Sequence, residues 1–244
     1  MDKHYLPINY IERGRTVKWV HPDSEERFNT AINIDPTNLD LINYSNNPIE
    51  YKFNNYGLRT PDNLDPVSVG NVYLGCSHTF GIGLHLEDTW GYKVNKEIGG
   101  AFFNFAQPGT GILTGYRLLK YWVDRLDIQN VFAFYPHQNR YEYYSPKEEL
   151  FRTLTENIPG VSKETVSIIN HKNNYELLTE LGYLGIKSIC ENKNINFTFL
   201  NEIKFIPKTD TEFKYNSARD QAHLEPRTQN DISIEFLNTY NSKL

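Results

Sequence analysis

The chain is poor in sulfur. Its 244 residues include two cysteines, Cys76 and Cys190, and one methionine. Cysteines so few and so far apart make neither a ligand spacing nor a disulfide framework, so zinc modules and stapled secreted domains are not expected. The thiols suit a reducing compartment. No run of about 18 apolar residues occurs, so no membrane span is expected. The opening "MDKHYLPINYIERGR" lacks the apolar core of a secretory leader. A cytoplasmic or otherwise soluble chain is the expectation. Positive charge is also scarce: 25 Lys and Arg stand against 30 Asp and Glu, for a net charge of −5. Phosphate backbones are held by basic stripes, and none stands out, so a nucleic-acid partner is not expected. Neither internal repeats nor low-complexity tracts are present.

Aromatic residues are plentiful, with 17 Tyr and 14 Phe. Most are expected in the core and its rim; a tyrosine-rich face for a sugar or partner is the alternative. Residues 1–68 are rich in Asn, Asp and Pro, as in "NIDPTNLDLINYSNNP". These residues favour turns. Ile49, Tyr51 and Phe53 alternate as in a half-buried strand. The segment reads as an N-terminal extension with a hairpin or two, packed on a main domain of residues 69–244.

From about residue 70 the pattern changes. "NVYLG", "AFFNFA", "NVFAFYP" and "INFTFLN" are short apolar runs with the character of buried strands. Between them lie helical periodicities. Trp90, Val94 and Ile98 share a face, as do Leu118, Leu119, Trp122, Val123 and Leu126. "NNYELLTELGYLGIKSICENKN" reads as a long helix, "SPKEELFRTLTEN" as partly helical and "DISIEFLNTY" as a closing helix. Alternating strands and helices predict an α/β fold: a parallel sheet between two helix layers. Ligands of such sheets sit outside the carboxyl ends of the strands.

Two stretches carry residues for chemistry. In "NVYLGCSHTFGIGL" a strand ends at Gly75, and Cys76, Ser77, His78 and Thr79 follow. Ser77 lies at the carboxyl edge, where a turn can expose a nucleophile and backbone N–H groups can meet a developing oxyanion. The plain alternative is a helix cap. Cys76 next to an outward serine points elsewhere, as a small buried hydrophobe does. His78 is too close in sequence to serve Ser77 as a base. In "SARDQAHLEP", Asp220 and His223 lie three apart, so both reach one side of a turn. His223 can take a hydroxyl proton while Asp220 fixes its tautomer. The plain alternative there is a surface turn.

Taken together, an early strand-end serine and a late D-x-x-H before the last helix resemble the SGNH/GDSL hydrolases. These are ester hydrolases with a flavodoxin-like three-layer fold. "LGCSHTFG" is similar to the family's serine block, with Cys76 at the usual aspartate position. The resemblance implies Ser77 as nucleophile, His223 as base and Asp220 as triad acid. It implies oxyanion donors at the Ser77 and Gly109 backbone, the latter from "NFAQPGTG", and at the Asn139 side chain. In that third block "HQNRYEYY" lacks the usual glycine, and Arg140 stands for the aspartate, so the strand can instead deliver His137, Gln138 or Arg140. His137 and Arg140 are substrate-binding candidates; Arg140 can clamp an anion or pair with Glu142, Glu148 or Glu149. "NNYGLRTPDNLDP" resembles the Asn-x-x-Gly-x-Arg stretch ahead of the serine block in one branch of the family. The implied activity is deacylation of a carbohydrate or other small ester, with no cofactor and no metal. The competing reading is a silent SGNH-like binding or structural module within an assembly.

Overall fold

The run after Ser68 is buried on both sides, and its side chains divide between two helix layers. In the computed structural model, β1 spans Thr16–Val17, α1 Glu25–Ile34, α2 Leu39–Asn46, β2 Tyr51–Lys52 and β3 Val69–Gly75. There follow α3 Ser77–Phe80, α4 Trp90–Ile98, β4 Ala101–Asn104, α5 Ile112–Trp122 and β5 Asp127–Phe134. The last elements are β6 Tyr141–Ser145, β7 Leu150–Leu154, α6 Lys172–Asn192, β8 Asn196–Leu200 and α7 Pro226–Asn241. The structure describes residues 12–61, 64, 68–136, 140–145, 150–154, 162, 164, 167, 171–200, 218–220 and 223–243.

Among the described residues, four parallel strands form one sheet in the order β4-β3-β5-β8. The chain leaves β3 toward β4, then crosses back to β5 on the other side. With right-handed crossovers that reversal puts α4 and α5 on opposite faces. The apolar clusters agree. Val72, Leu74, Phe103, Val131 and Ala133 pack with Leu118, Leu119 and Trp122 of α5 and Ile186 of α6. Tyr73, Phe102, Phe132 and Phe134 pack with Trp90 and Val94 of α4 and Ile232 and Phe236 of α7. Neighbours along each strand thus serve opposite faces, as the pleat requires. The result is the expected three-layer α/β/α sandwich. Its switch point lies between β3 and β5, where ligands of such sheets bind.

A row of amides crosses the sheet at the far end from that crevice. Asn130 Nδ2 donates to Asn71 Oδ1 at 2.7 Å, and Asn196 Nδ2 donates to Asn130 Oδ1 at 3.0 Å. Asn71 Nδ2 continues the row to Asn95 Oδ1 of α4 at 2.8 Å and to Gly99 O at 2.7 Å.

The N-terminal segment departs from expectation. In place of turns alone it holds two helices, because its Ser and Asn residues act as N-caps. Ser24 accepts from Arg27 N, and Asn38 accepts from Asp40 N and Leu41 N. In place of a hairpin, β1 pairs antiparallel with the distant β2. The alternation at Ile49, Tyr51 and Phe53 holds, since all three are buried. They share a cluster with Phe80, Ile82 and Ala106 beside the sheet.

A second departure follows β5. The stretch read as partly helical contains strand β7, which pairs antiparallel with β6. Docking decides this. Glu142 of β6 accepts from Arg117 Nε at 2.9 Å and Nη2 at 2.7 Å, and from Thr114 Oγ1 at 2.8 Å. Both partners of the ion pair are nearly buried, at 10% and 6% side-chain exposure, and the Arg117 guanidinium lies 4.1 Å from the Phe151 ring centre. Tyr141, Tyr143 and Tyr144 are half-buried strand residues. Of the carboxylates offered as alternative partners of Arg140, Glu142 is held by Arg117.

Candidate active site

The serine turn depends on a missing side chain. A Cβ on Gly75 would sit 1.9 Å from Thr79 Oγ1 and 2.8 Å from Phe134 O. Glycine alone therefore lets α3 fold back over the strand end. Gly81 follows α3 with φ +83°, a left-handed conformation that favours glycine. Ser77 is buried to 4% exposure at the start of α3. Cys76 is buried, at 1% exposure, in keeping with a packing role. Burial pushes the other thiol, Cys190, up to about 12.

Three further residues, Arg59, Trp90 and Gln229, hold this turn. Arg59, fully buried, donates from Nη1 to Phe80 O at 2.9 Å and Gly81 O at 2.6 Å, and from Nη2 to Leu84 O at 2.8 Å. Its guanidinium lies over Tyr51, 4.5 Å from the ring centre. Burial lowers its pKa to about 10, so it remains charged at neutral pH. The Asn-x-x-Gly-x-Arg stretch thus has a physical reading. Asn54 Oδ1 accepts from Tyr56 N and Leu58 N, Gly57 takes φ +77°, and the resulting turn sends Arg59 inward. Trp90 Nε1 donates to Thr79 Oγ1 at 3.3 Å. From α7, Gln229 Nε2 donates to His78 O at 3.1 Å, while its Oε1 accepts from Trp90 N at 3.0 Å.

The second stretch meets the first. Arg219 N donates to Gly83 O at 2.9 Å. A Cβ on Gly83 would lie 2.9 Å from Asp220 Oδ1. His223 Nδ1 is 2.6 Å from Asp220 Oδ2. An ionised carboxylate has no proton to give, so Nδ1–H donates and Nε2 is left as the acceptor. The His223 ring lies 5.1 Å from that of His78, the residue after Ser77. The dyad is sheltered: Asp220 is 4% exposed and His223 7%. His78 is a buried neighbour, with Gln229 on its carbonyl.

The Gly109 turn adjoins the same strand end. Gln107 N donates to Gly75 O at 3.1 Å, and Thr110 N closes the turn on Gln107 O at 3.4 Å. Pro108 and a Gly109 with φ +74° suit the central positions of a type II turn. Arg140 arrives by its backbone: a Cβ on Gly111 would lie 2.6 Å from Arg140 O. Asn139, His137 and Gln138 lie outside the described residues. Among the described residues, no cluster of three or more His, Cys, Asp or Glu has the arrangement of metal ligands.

The bonds of Tyr51, Arg219 and Gln229 around the serine turn have no local signal in the sequence. Each joins partners distant in the chain. Only Arg59 had a local signal, in its Asn-x-x-Gly-x-Arg setting.

No family model matches the sequence, and no curated protein matches it. Solved structures do. An acetyl xylan esterase, Est2A, from the rumen bacterium Butyrivibrio proteoclasticus is 13% identical, with 75% of this chain and 66% of that one covered and a TM-score of 0.38. A psychrotrophic esterase, EstA, from Pseudoalteromonas sp. is 12% identical, covering 71% and 98%, at 0.37. A lipolytic protein of the G-D-S-L family from Veillonella parvula is 12% identical over the same shares, at 0.33.

Proposed function

We propose that the chain is a serine ester hydrolase of the SGNH type. The observation that carries this reading is the 2.6 Å contact of His223 with Asp220, on a loop bonded to the serine-turn segment through Gly83. Ser77 Oγ attacks the ester carbonyl and His223 Nε2 takes its proton. The tetrahedral oxyanion is met by the Ser77 and Gly109 N–H groups and by the Asn139 amide. The intermediate then collapses: the acyl–oxygen bond breaks and His223 returns the proton to the leaving alcohol. Water, activated by the same imidazole, releases the acid and regenerates Ser77. Asp220 keeps the proton on Nδ1 and stabilises the imidazolium. The substrate is a carbohydrate ester or another small ester, with His137 and Arg140 as contacts. No step needs a cofactor.

A fluorophosphonate probe tests the assignment. It is expected to label the folded protein on the peptide bearing Ser77, as read by mass spectrometry. Silence in a folded protein would favour a binding module instead. Asp220→Asn replaces an obligate acceptor with an amide that can turn its NH2 toward Nδ1, which selects the wrong tautomer. Its kcat is expected to fall by about 10³–10⁴-fold, with KM nearly unchanged, in a p-nitrophenyl acetate assay.

A further inference from the structure

Arg219 stands next to the proposed triad acid, yet its side chain points away from the sheet into the N-terminal segment. Its Nε lies 3.1 Å from both oxygens of Asp23, its Nη2 donates to Lys18 O at 2.6 Å, and its Nη1 to Ile49 O at 3.5 Å. The Trp19 ring centre is 4.0 Å from the guanidinium. Asp23 is 1% exposed and Arg219 2%. Tyr51 OH donates to Asp23 Oδ2 at 2.5 Å and accepts from Gly83 N at 2.8 Å. Arg219 N then donates back to Gly83 O at 2.9 Å.

The contacts close a circuit. It runs from Gly83 through Tyr51 and Asp23 to Arg219, and returns to Gly83. One side is the serine-turn segment and the other is the backbone that carries Asp220. We propose that Asp23 and Arg219 are positioning residues for the Asp220–His223 pair, so that the N-terminal segment is part of the catalytic apparatus.

Two physical points favour this over a plain structural ion pair. A forked guanidinium bound to a carboxylate and two carbonyls has one geometry, so it fixes the loop more tightly than a lysine would. Asp23 also occupies the cation that would otherwise be free to claim Asp220. The two carboxylates are close enough for Asp220 to help raise the Asp23 carboxyl, after the larger effect of burial and against Arg219. Were Arg219 to turn onto Asp220, the carboxylate would be drawn from His223 Nδ1.

The inference rests on the triad reading, so its test includes a readout that needs no reactive serine. The proton held between His223 and Asp220 is expected to give a sharp resonance far downfield in the proton NMR spectrum of the wild type at low pH. In Asp23→Asn, checked as folded by a cooperative melt, that resonance is expected to broaden or vanish. The kcat for p-nitrophenyl acetate should fall about ten- to a hundredfold with KM held, and Asp23→Glu should recover part of the loss. Should Asp23→Asn fail to fold, Tyr51→Phe cuts the circuit without stranding a charge; the resonance is then expected to broaden and kcat to fall several-fold. A wild type without the resonance, or a folded variant with the resonance intact and kcat within twofold, overturns the proposal. Failure of the esterase reading shows separately, as an unlabelled Ser77.

Discussion

Replacing Ser77 with alanine is expected to lower kcat for p-nitrophenyl acetate by about 10⁴-fold or more. The hydroxyl is the only group that the proposed mechanism uses to form the acyl-enzyme, and alanine leaves His223 with a proton acceptor but nothing to activate. Residual turnover would come from water, aided by whatever the oxyanion donors still supply. The fold should not follow the activity down. Ser77 is buried, but the substitution removes one small polar atom and adds no bulk, which places the stability change within about 1 kcal/mol. A melting point within about 3 °C of the wild type then separates lost chemistry from lost structure. Unchanged turnover in a folded Ser77→Ala protein would end the serine assignment.

Arg59→Met should do the reverse, striking stability first. Two effects oppose each other. Methionine relieves the cost of a buried charge, a cost visible in the lowering of the guanidinium to about 10 by desolvation. Against that, the carbonyls of Phe80, Gly81 and Leu84 all lose their shared donor inside the protein. Each buried carbonyl left without a partner costs about 1–3 kcal/mol. Methionine also gives up the stacking over Tyr51. Gly81 O keeps the bond from Leu84 N at 3.3 Å, but the two stranded acceptors at Phe80 and Leu84 and the lost stacking outweigh one relieved charge, so a net loss of about 3 kcal/mol is expected. For a chain of this size that lowers the melting point by roughly 6–12 °C. Thermal unfolding followed by circular dichroism checks it. A loss below about 1 kcal/mol would mean that water replaces the guanidinium at these carbonyls.

Much of the sandwich was legible because its signal is local. The runs at β3, β4, β5 and β8 and the stripes of α4 and α5 are set by which faces each element buries. The N-terminal helices were not legible, because Ser24 and Asn38 mark a turn and a helix start with the same chemistry. A short side-chain oxygen bonds the backbone two or three residues on in both cases. The strand β7 was missed for another reason. Its local sequence contains helix formers, and the deciding partner, Arg117, lies on α5. For the site, the sequence pointed to Ser77, Asp220 and His223 through their settings, and the structure brings the last two into contact. What it gave no hint of is the charge chemistry behind them. A buried Asp23–Arg219 pair looks on paper like two ordinary surface residues.

The asparagine row at the far end of the sheet bears on the site in another way. Strands buried on both faces are nearly uniform in apolar character, and a uniform strand can slide past its neighbour without exposing anything. A slip by two residues even keeps every side chain on its own face. Asn71, Asn130 and Asn196 lie directly opposite one another, so any slip would strand their amides among apolar groups. The row acts as a ratchet. It fixes where β3 ends relative to β5, with Gly75 opposite Phe134. The serine turn is therefore placed in part by three amides at the opposite end of its own strand layer.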